Sequence, residues 1–110
     1  MSPPVVIALT TCPDEPTASR IAEALVTDGL AACVNQIPGV ISTYRWQGRV
    51  QRQGEVLLLI KTLPAQIEAL QRKVIALHPY ELPEFVVLPV TTGSEPYLEW
   101  IRQNAASAEQ

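Results

Sequence analysis

The stretch from Ala31 to Trp46, rich in β-branched and aromatic residues, constrains this chain more than any other feature. As one strand it would span about 50 Å at roughly 3.3 Å per residue. A compact domain of this length has a radius of gyration of about 13 Å and is about 35 Å across. The strand therefore overhangs its own domain, unless Pro38-Gly39 folds it back. The overhang carries Val40, Ile41, Tyr44 and Trp46, which on a lone subunit would form an exposed apolar patch. Burying one such aromatic is worth on the order of 2 kcal/mol. The length thus predicts a hairpin that packs on, and extends, a neighbouring subunit's sheet.

The rest of the chain alternates strand and helix signals. Val5 to Thr10 is a short apolar run and reads as a buried strand. Cys12-Pro13-Asp14-Glu15-Pro16 breaks it and starts a helix, with acidic side chains at the positive end of the dipole. Ala18, Ile21, Ala22, Leu25 and Val26 recur at helical spacing, and Gly29 is placed to cap that helix. Pro38-Gly39 marks a bulge or bend in the long strand, and Gln47-Gly48 a tight turn.

Glu55 to Lys61 is apolar on both faces between its charged ends, as in a central strand. Thr62 is the expected cap of a second helix, with Ile67, Leu70, Val74 and Leu77 as its buried stripe. His78-Pro79 ends that helix, because proline pushes the residue before it into extended geometry. Phe85 to Val90 reads as a fourth strand, with Pro89 predicting an edge position or a pairing end. Ser94-Glu95-Pro96 begins a last helix carrying Leu98, Trp100 and Ile101.

The order β-α-β-β-α-β, plus a C-terminal helix, is the split βαβ pattern of an α+β ferredoxin-like fold. Right-handed crossovers put both long helices on one face of a four-stranded antiparallel sheet. The other face must then be covered by something else. Residues 1–104 form one domain, and 105–110 are expected to fray.

Composition narrows function. Hydrophobic residues make up 47% of the chain and charged residues 17%, which indicates a packed globule. A net charge of −3 counts against a nucleic-acid binder, which needs a basic face for phosphate. Nothing approaches a membrane-spanning length, and the start of the chain lacks the charged region of a signal peptide. Two cysteines, Cys12 and Cys33, match no zinc spacing and read as reduced thiols of a cytoplasmic protein. Five glycines form no phosphate-binding loop.

His78-Pro79-Tyr80-Glu81-Leu82-Pro83-Glu84 gathers the chain's one histidine with a tyrosine and two carboxylates on a rigid loop. Its functional reading is a metal or small-ligand site. Its plain structural reading is a stiff connector, with His78 donating to carbonyls at a helix end and Glu81 and Glu84 solvated. Glu55 and Lys61 either mark the two ends of a strand or line a cleft between subunits. Tyr44 and Trp46 are packing anchors or ligand contacts. A Cys–His nucleophile pair would need Cys12 or Cys33 beside His78, and no motif places them together.

Ala31-Ala32-Cys33-Val34-Asn35, then Ser42-x-Tyr44-x-Trp46-x-Gly48, Glu55 to Lys61-Thr62, His78-Pro79-Tyr80-x-x-Pro83-Glu84 and Tyr97-Leu98-x-Trp100 follow in order. Together they resemble the CutA divalent-cation tolerance proteins, from Val5 to Ile101. The resemblance implies a homotrimer of ferredoxin-like subunits assembled like the PII signalling proteins. It also implies copper tolerance and cation binding. Where copper ligation is proposed in the family, the ligands are a cysteine late in the first strand and two histidines before Pro-Tyr. Here those positions hold Thr10 and Leu77-His78, with Cys12 two residues further on. Cu(I) favours thiolate and Cu(II) imidazole. One matched ligand does not build such a site within a subunit, unless Cys12 turns inward.

The expected metal set is therefore His78, Cys12 and Glu84, binding copper or another divalent cation. The ligand-cleft candidates are Tyr44, Trp46, Glu55, Lys61 and Tyr80. The expected function is a non-enzymatic, homotrimeric divalent-cation tolerance protein that binds metal ions or a small ligand at intersubunit clefts. The competing readings are a PII-like small-molecule sensor without a physiological metal, and a low-turnover Cys/His enzyme.

Overall fold

Strand β1 (Val6–Cys12) runs through Thr11 and Cys12 because β3 (Arg49–Thr62) lies opposite it along its whole length, from Val6 beside Thr62 to Cys12 beside Val56. A computed structural model describes residues 4–106. Helix α1 (Glu15–Thr27) begins where the Asp14 carboxylate accepts the Thr17 N–H at 2.9 Å. That bond holds the Asp14 carboxyl below its usual pKa. The helix ends in a Schellman motif: Leu30 N–H donates to Leu25 O and Gly29 N–H to Val26 O. Gly29 takes φ 72°, a left-handed conformation that glycine adopts without a steric penalty.

Strand β2 (Cys33–Trp46) pairs with β3, and the register slips between Ile37 and Val40, at the Pro38-Gly39 bulge. Gln47 and Gly48 both have positive φ (52° and 81°), so the hairpin closes in two residues with the twist that favours it. A short 3-10 turn (Pro64–Gln66) leads into helix α2 (Ile67–Leu77). Strand β4 (Val86–Pro89) and helix α3 (Glu95–Asn104) complete the chain. The sheet order is β2-β3-β1-β4, all antiparallel, so Pro89 does lie in an edge strand. This is the predicted ferredoxin-like topology.

The two faces of the sheet differ. Ala8, Cys12, Val56, Leu58 and Ile60 point to one side, where Ala18, Ile21 and Leu25 of α1 and Leu70 and Val74 of α2 bury them. Ile7, Leu9, Leu57 and Leu59 alternate to the other side and remain partly exposed. Val86, Leu88 and Ile37 join them there and are exposed. Helix α3 covers one end of the domain, packing Ile101 with Val5, Ala32 and Ala105.

Two expectations about element ends change. Thr62 caps no helix: it is fully buried in β3, and its hydroxyl donates to Leu30 O at 2.7 Å. Ala105, assigned by sequence to a frayed tail, is buried; its N–H donates to Ile101 O and its carbonyl accepts from Gln66 Nε2 at 2.9 Å. Residues 107–110 of that tail lie outside the described residues.

Candidate functional site

Helix α2 stops at Leu77 because His78, preceding Pro79, is extended (φ −83°, ψ 136°). That turn aims the imidazole back at the sheet, where it is buried. Its Nε2 lies 2.7 Å from the carbonyl oxygen of Thr11, and its Nδ1 accepts the Tyr80 N–H at 3.1 Å. A carbonyl only accepts and an N–H only donates, so these two partners assign the ring proton to Nε2. The Tyr80 ring lies 4.7 Å from the imidazole, tilted by 48°. His78 braces Tyr80 and ties the loop to β1.

Tyr80 in turn meets β3. Its hydroxyl donates to Glu55 Oε2 at 2.8 Å and accepts from Gln53 Nε2 at 3.0 Å. The Tyr44 hydroxyl donates to Gln53 Oε1 at 2.6 Å. Burial, then the hydrogen bond to Glu55, pushes the Tyr80 phenol well above its ordinary pKa. Glu55 is 8% exposed, so the phenol gives a buried carboxylate the donor it needs. The chain Tyr44–Gln53–Tyr80–Glu55 fixes the base of the hairpin to the loop after α2.

These groups border a cleft of about 570 Å³ between the hairpin and residues 82–86. Tyr44, Glu55, Tyr80 and Glu84 line it, together with Thr11, Ser42 and Thr43. Its wall combines two carboxylates, two phenols and three hydroxyls with the apolar Leu82, Pro83, Phe85 and Val86; the oxygen donors suit a hard divalent cation or a polar ligand.

The remaining candidates stand elsewhere. Cys12 points to the helix side of the sheet and is fully buried; burial, then the charges of Asp14 and Glu55, pushes its thiol up to about 11. His78 sits behind Tyr80 with both ring nitrogens engaged. Trp46 pairs with Arg49 at the hairpin end and does not line the cleft. Lys61 lies at the far end of β3, where its Nζ is 3.2 Å from the Tyr97 hydroxyl. Among the described residues no three His, Cys, Asp or Glu side chains gather to hold a metal ion, so His78, Cys12 and Glu84 do not meet as one set within the chain. Thr10, at the position the resemblance assigns to a ligating cysteine, is fully buried, and its hydroxyl has no hydrogen-bond partner among the described residues.

Sequence reasoning missed Gln53, which joins both phenols. Its signal was the period of two: Gln53 precedes Glu55 by two positions in one strand and shares its face.

A ferredoxin-like chain with a long hairpin, an apolar sheet face that the described residues leave uncovered and a cleft beside the hairpin that presents carboxylates and phenols defines the class. The sequence model of the CutA1 divalent ion tolerance protein family matches residues 6–104. A divalent-cation tolerance protein CutA from Thermus thermophilus is 50% identical over 98 residues, 89% of this chain and 95% of its own length. Human Protein CutA is 48% identical over 96 residues, which are 87% of this chain but 54% of its own. The crystal structure of CutA from Xylella fastidiosa superimposes with a TM-score of 0.90 at 45% identity, covering 93% of this chain and 98% of that one. The chain belongs to the CutA1 divalent ion tolerance family.

Proposed function

We propose that this chain serves divalent-cation tolerance as a non-enzymatic cytoplasmic homotrimer, holding a metal ion such as copper in clefts completed by neighbouring subunits. One observation carries the reading. The cleft that presents Glu55, Glu84, Tyr44 and Tyr80 adjoins an apolar sheet face that a single chain leaves uncovered. A second copy lying on that face would close the cleft and could add the ligands that one subunit lacks. The Thermus thermophilus relative bears the name divalent-cation tolerance protein, which supports the cation as ligand. The occupied ring nitrogens of His78 and the raised thiol of Cys12 support a role outside Cys–His catalysis.

A second reading, a small-molecule sensor without a physiological metal, is favoured by a specific feature. His78 would have to give up its bond to Thr11 O or to the Tyr80 N–H before it could ligate a metal. Calorimetric titration with copper and zinc salts separates the two readings. Under the metal reading Glu84→Gln weakens binding by about tenfold, the worth of one charge-assisted contact. Equal binding by wild type and Glu84→Gln removes the cleft from metal binding and leaves the sensor reading standing.

A further inference from the structure

We propose that Gln53 is the positioning residue that fits the cleft to a cation, by turning the lone pairs of the Tyr44 phenol toward it; this rests on the cation reading above. Gln53 stands opposite Ser42 in the β2–β3 ladder, diagonal to Tyr44 and two positions from Glu55 on the same face. It is half-buried and does not itself line the cleft. It therefore acts on an occupant only through the phenols that do.

One carboxylate fixes the direction of every proton in this network. Glu55 only accepts, so the Tyr80 hydroxyl donates to it at 2.8 Å. Burial, then the bond to Glu55, holds that phenol well above its ordinary pKa, so its proton stays in place at neutral pH. With the proton spent, the Tyr80 oxygen accepts, and Gln53 turns its Nε2 toward it at 3.0 Å. The amide oxygen of Gln53 is left facing Tyr44. The one proton of the Tyr44 phenol goes to it, at 2.6 Å.

Both phenol protons are thus held inside the wall. Tyr44 and Tyr80 have only lone pairs left to offer the cleft, beside the carboxylates of Glu55 and Glu84. The hydroxyls of Thr11, Ser42 and Thr43 rotate to suit a partner, so they do not oppose a cation. A cation meets acceptors on this wall, whereas an anion meets lone pairs and negative charge. These bonds run within one chain, so they hold whether the cleft opens to water or is closed by a second copy. Without Gln53, Tyr80 still donates to Glu55, but Tyr44 loses its acceptor and its O–H can turn into the cleft. The effect of Gln53 on a bound ion therefore passes through Tyr44.

The test titrates the full-length protein with zinc and copper salts by calorimetry, as wild type, Gln53→Met, Tyr44→Phe and the double variant. Each single variant should weaken binding by about tenfold, and the double variant should bind no more weakly than either. Gln53→Glu still accepts from Tyr44 and should bind at least as tightly as wild type. In the metal-free protein, the tyrosine Raman doublet of wild type minus that of Tyr44→Phe should mark a phenol that donates. Circular dichroism and light scattering verify that each variant keeps its fold and assembly; if Gln53→Met does not, Gln53→Glu and the Raman signature decide. Losses that multiply in the double variant overturn the proposal, because Gln53 would then act apart from Tyr44. So does a Gln53→Glu protein that binds more weakly than wild type, or a Tyr44 phenol that accepts without donating. A wild type that binds neither ion, or binds no better than Glu84→Gln, instead overturns the cation reading and takes this proposal with it.

Discussion

Tyr80 is the residue on which the lateral cleft depends. Its ring is braced by His78, its hydroxyl donates to the buried Glu55, and Gln53 donates to it in turn. Tyr80→Phe leaves a buried carboxylate and an amide without their partner while keeping the ring. We expect a loss of about 1–3 kcal/mol, read from the denaturant midpoint, because an orphaned buried group costs its full desolvation. A variant as stable as wild type would mean that water replaces the phenol. Cys12 gives a prediction in pH. Burial raises its thiol from 9.0 to about 11 in the folded chain. Below pH 9 folded and unfolded chains both hold the proton, so the group confers no pH dependence there. Between pH 9 and 11 the unfolded chain releases it first, so stability falls as pH rises, by on the order of 2–3 kcal/mol in all. Cys12→Ala should lack this part of the slope, and the gap between the two stability curves should narrow from pH 9 to 11. A constant gap refutes it. At this scale the sequence was half readable. Tyr80, Glu84 and Glu55 stood out as polar groups on a stiff loop and at a strand end. The brace at His78 did not, because its partner is a main-chain oxygen 67 positions away.

Among the elements, the bulge and turn of the β2–β3 hairpin were legible, whereas the strand read as Glu55 to Lys61 runs from Arg49 to Thr62 and the start of α2 was misread. The Pro38-Gly39 bulge and the Gln47-Gly48 turn each carry a local signal, and the register agrees with both. The start of α2 was misplaced because Thr62 has two competing uses. As a cap it would bond the helix it precedes; in the folded chain it continues β3 beside Val6 and bonds Leu30 O. That choice rests on the chain leaving α1, which a local reading around Thr62 does not include. The turn also leaves room for improvement. Gln47 holds φ 52°, a region that costs an ordinary side chain about 1–2 kcal/mol. Asparagine tolerates it better, and Asn-Gly is the preferred pair for this turn. Gln47→Asn should therefore raise the unfolding midpoint by up to about 1 kcal/mol equivalent, provided that the side chain stays at the exposed tip. A drop in midpoint would show that Gln47 makes contacts beyond its own turn.

The whole molecule is elongated, 47 × 28 × 21 Å, with a radius of gyration of 14.5 Å, larger than a compact chain of its length requires. The excess comes from the hairpin: β1 meets β3 only from Val56 onward, so residues 40–55 extend past the sheet. The open sheet face adds Leu9, Leu57 and Leu59 beside the exposed Val86, Leu88 and Ile37, an apolar surface of the kind soluble monomers seldom display. Strand length alone led to the hairpin's reach, whereas the chemistry of the open face follows from the register. The proposed trimer makes a sharp prediction there. Light scattering of the wild type should give about three times the 12.0 kDa of one chain. Leu59→Asp puts a charge on the open face and leaves the helix-side core of Ala8, Leu58 and Ile60 untouched. In a monomer the carboxylate would stay partly hydrated and cost little; in an interface it would be stripped of water without a partner, at several kcal/mol per subunit. The variant should therefore run as a smaller species that retains its helical circular dichroism. A Leu59→Asp protein that still sediments with the wild-type mass would show that this face is not where the copies meet.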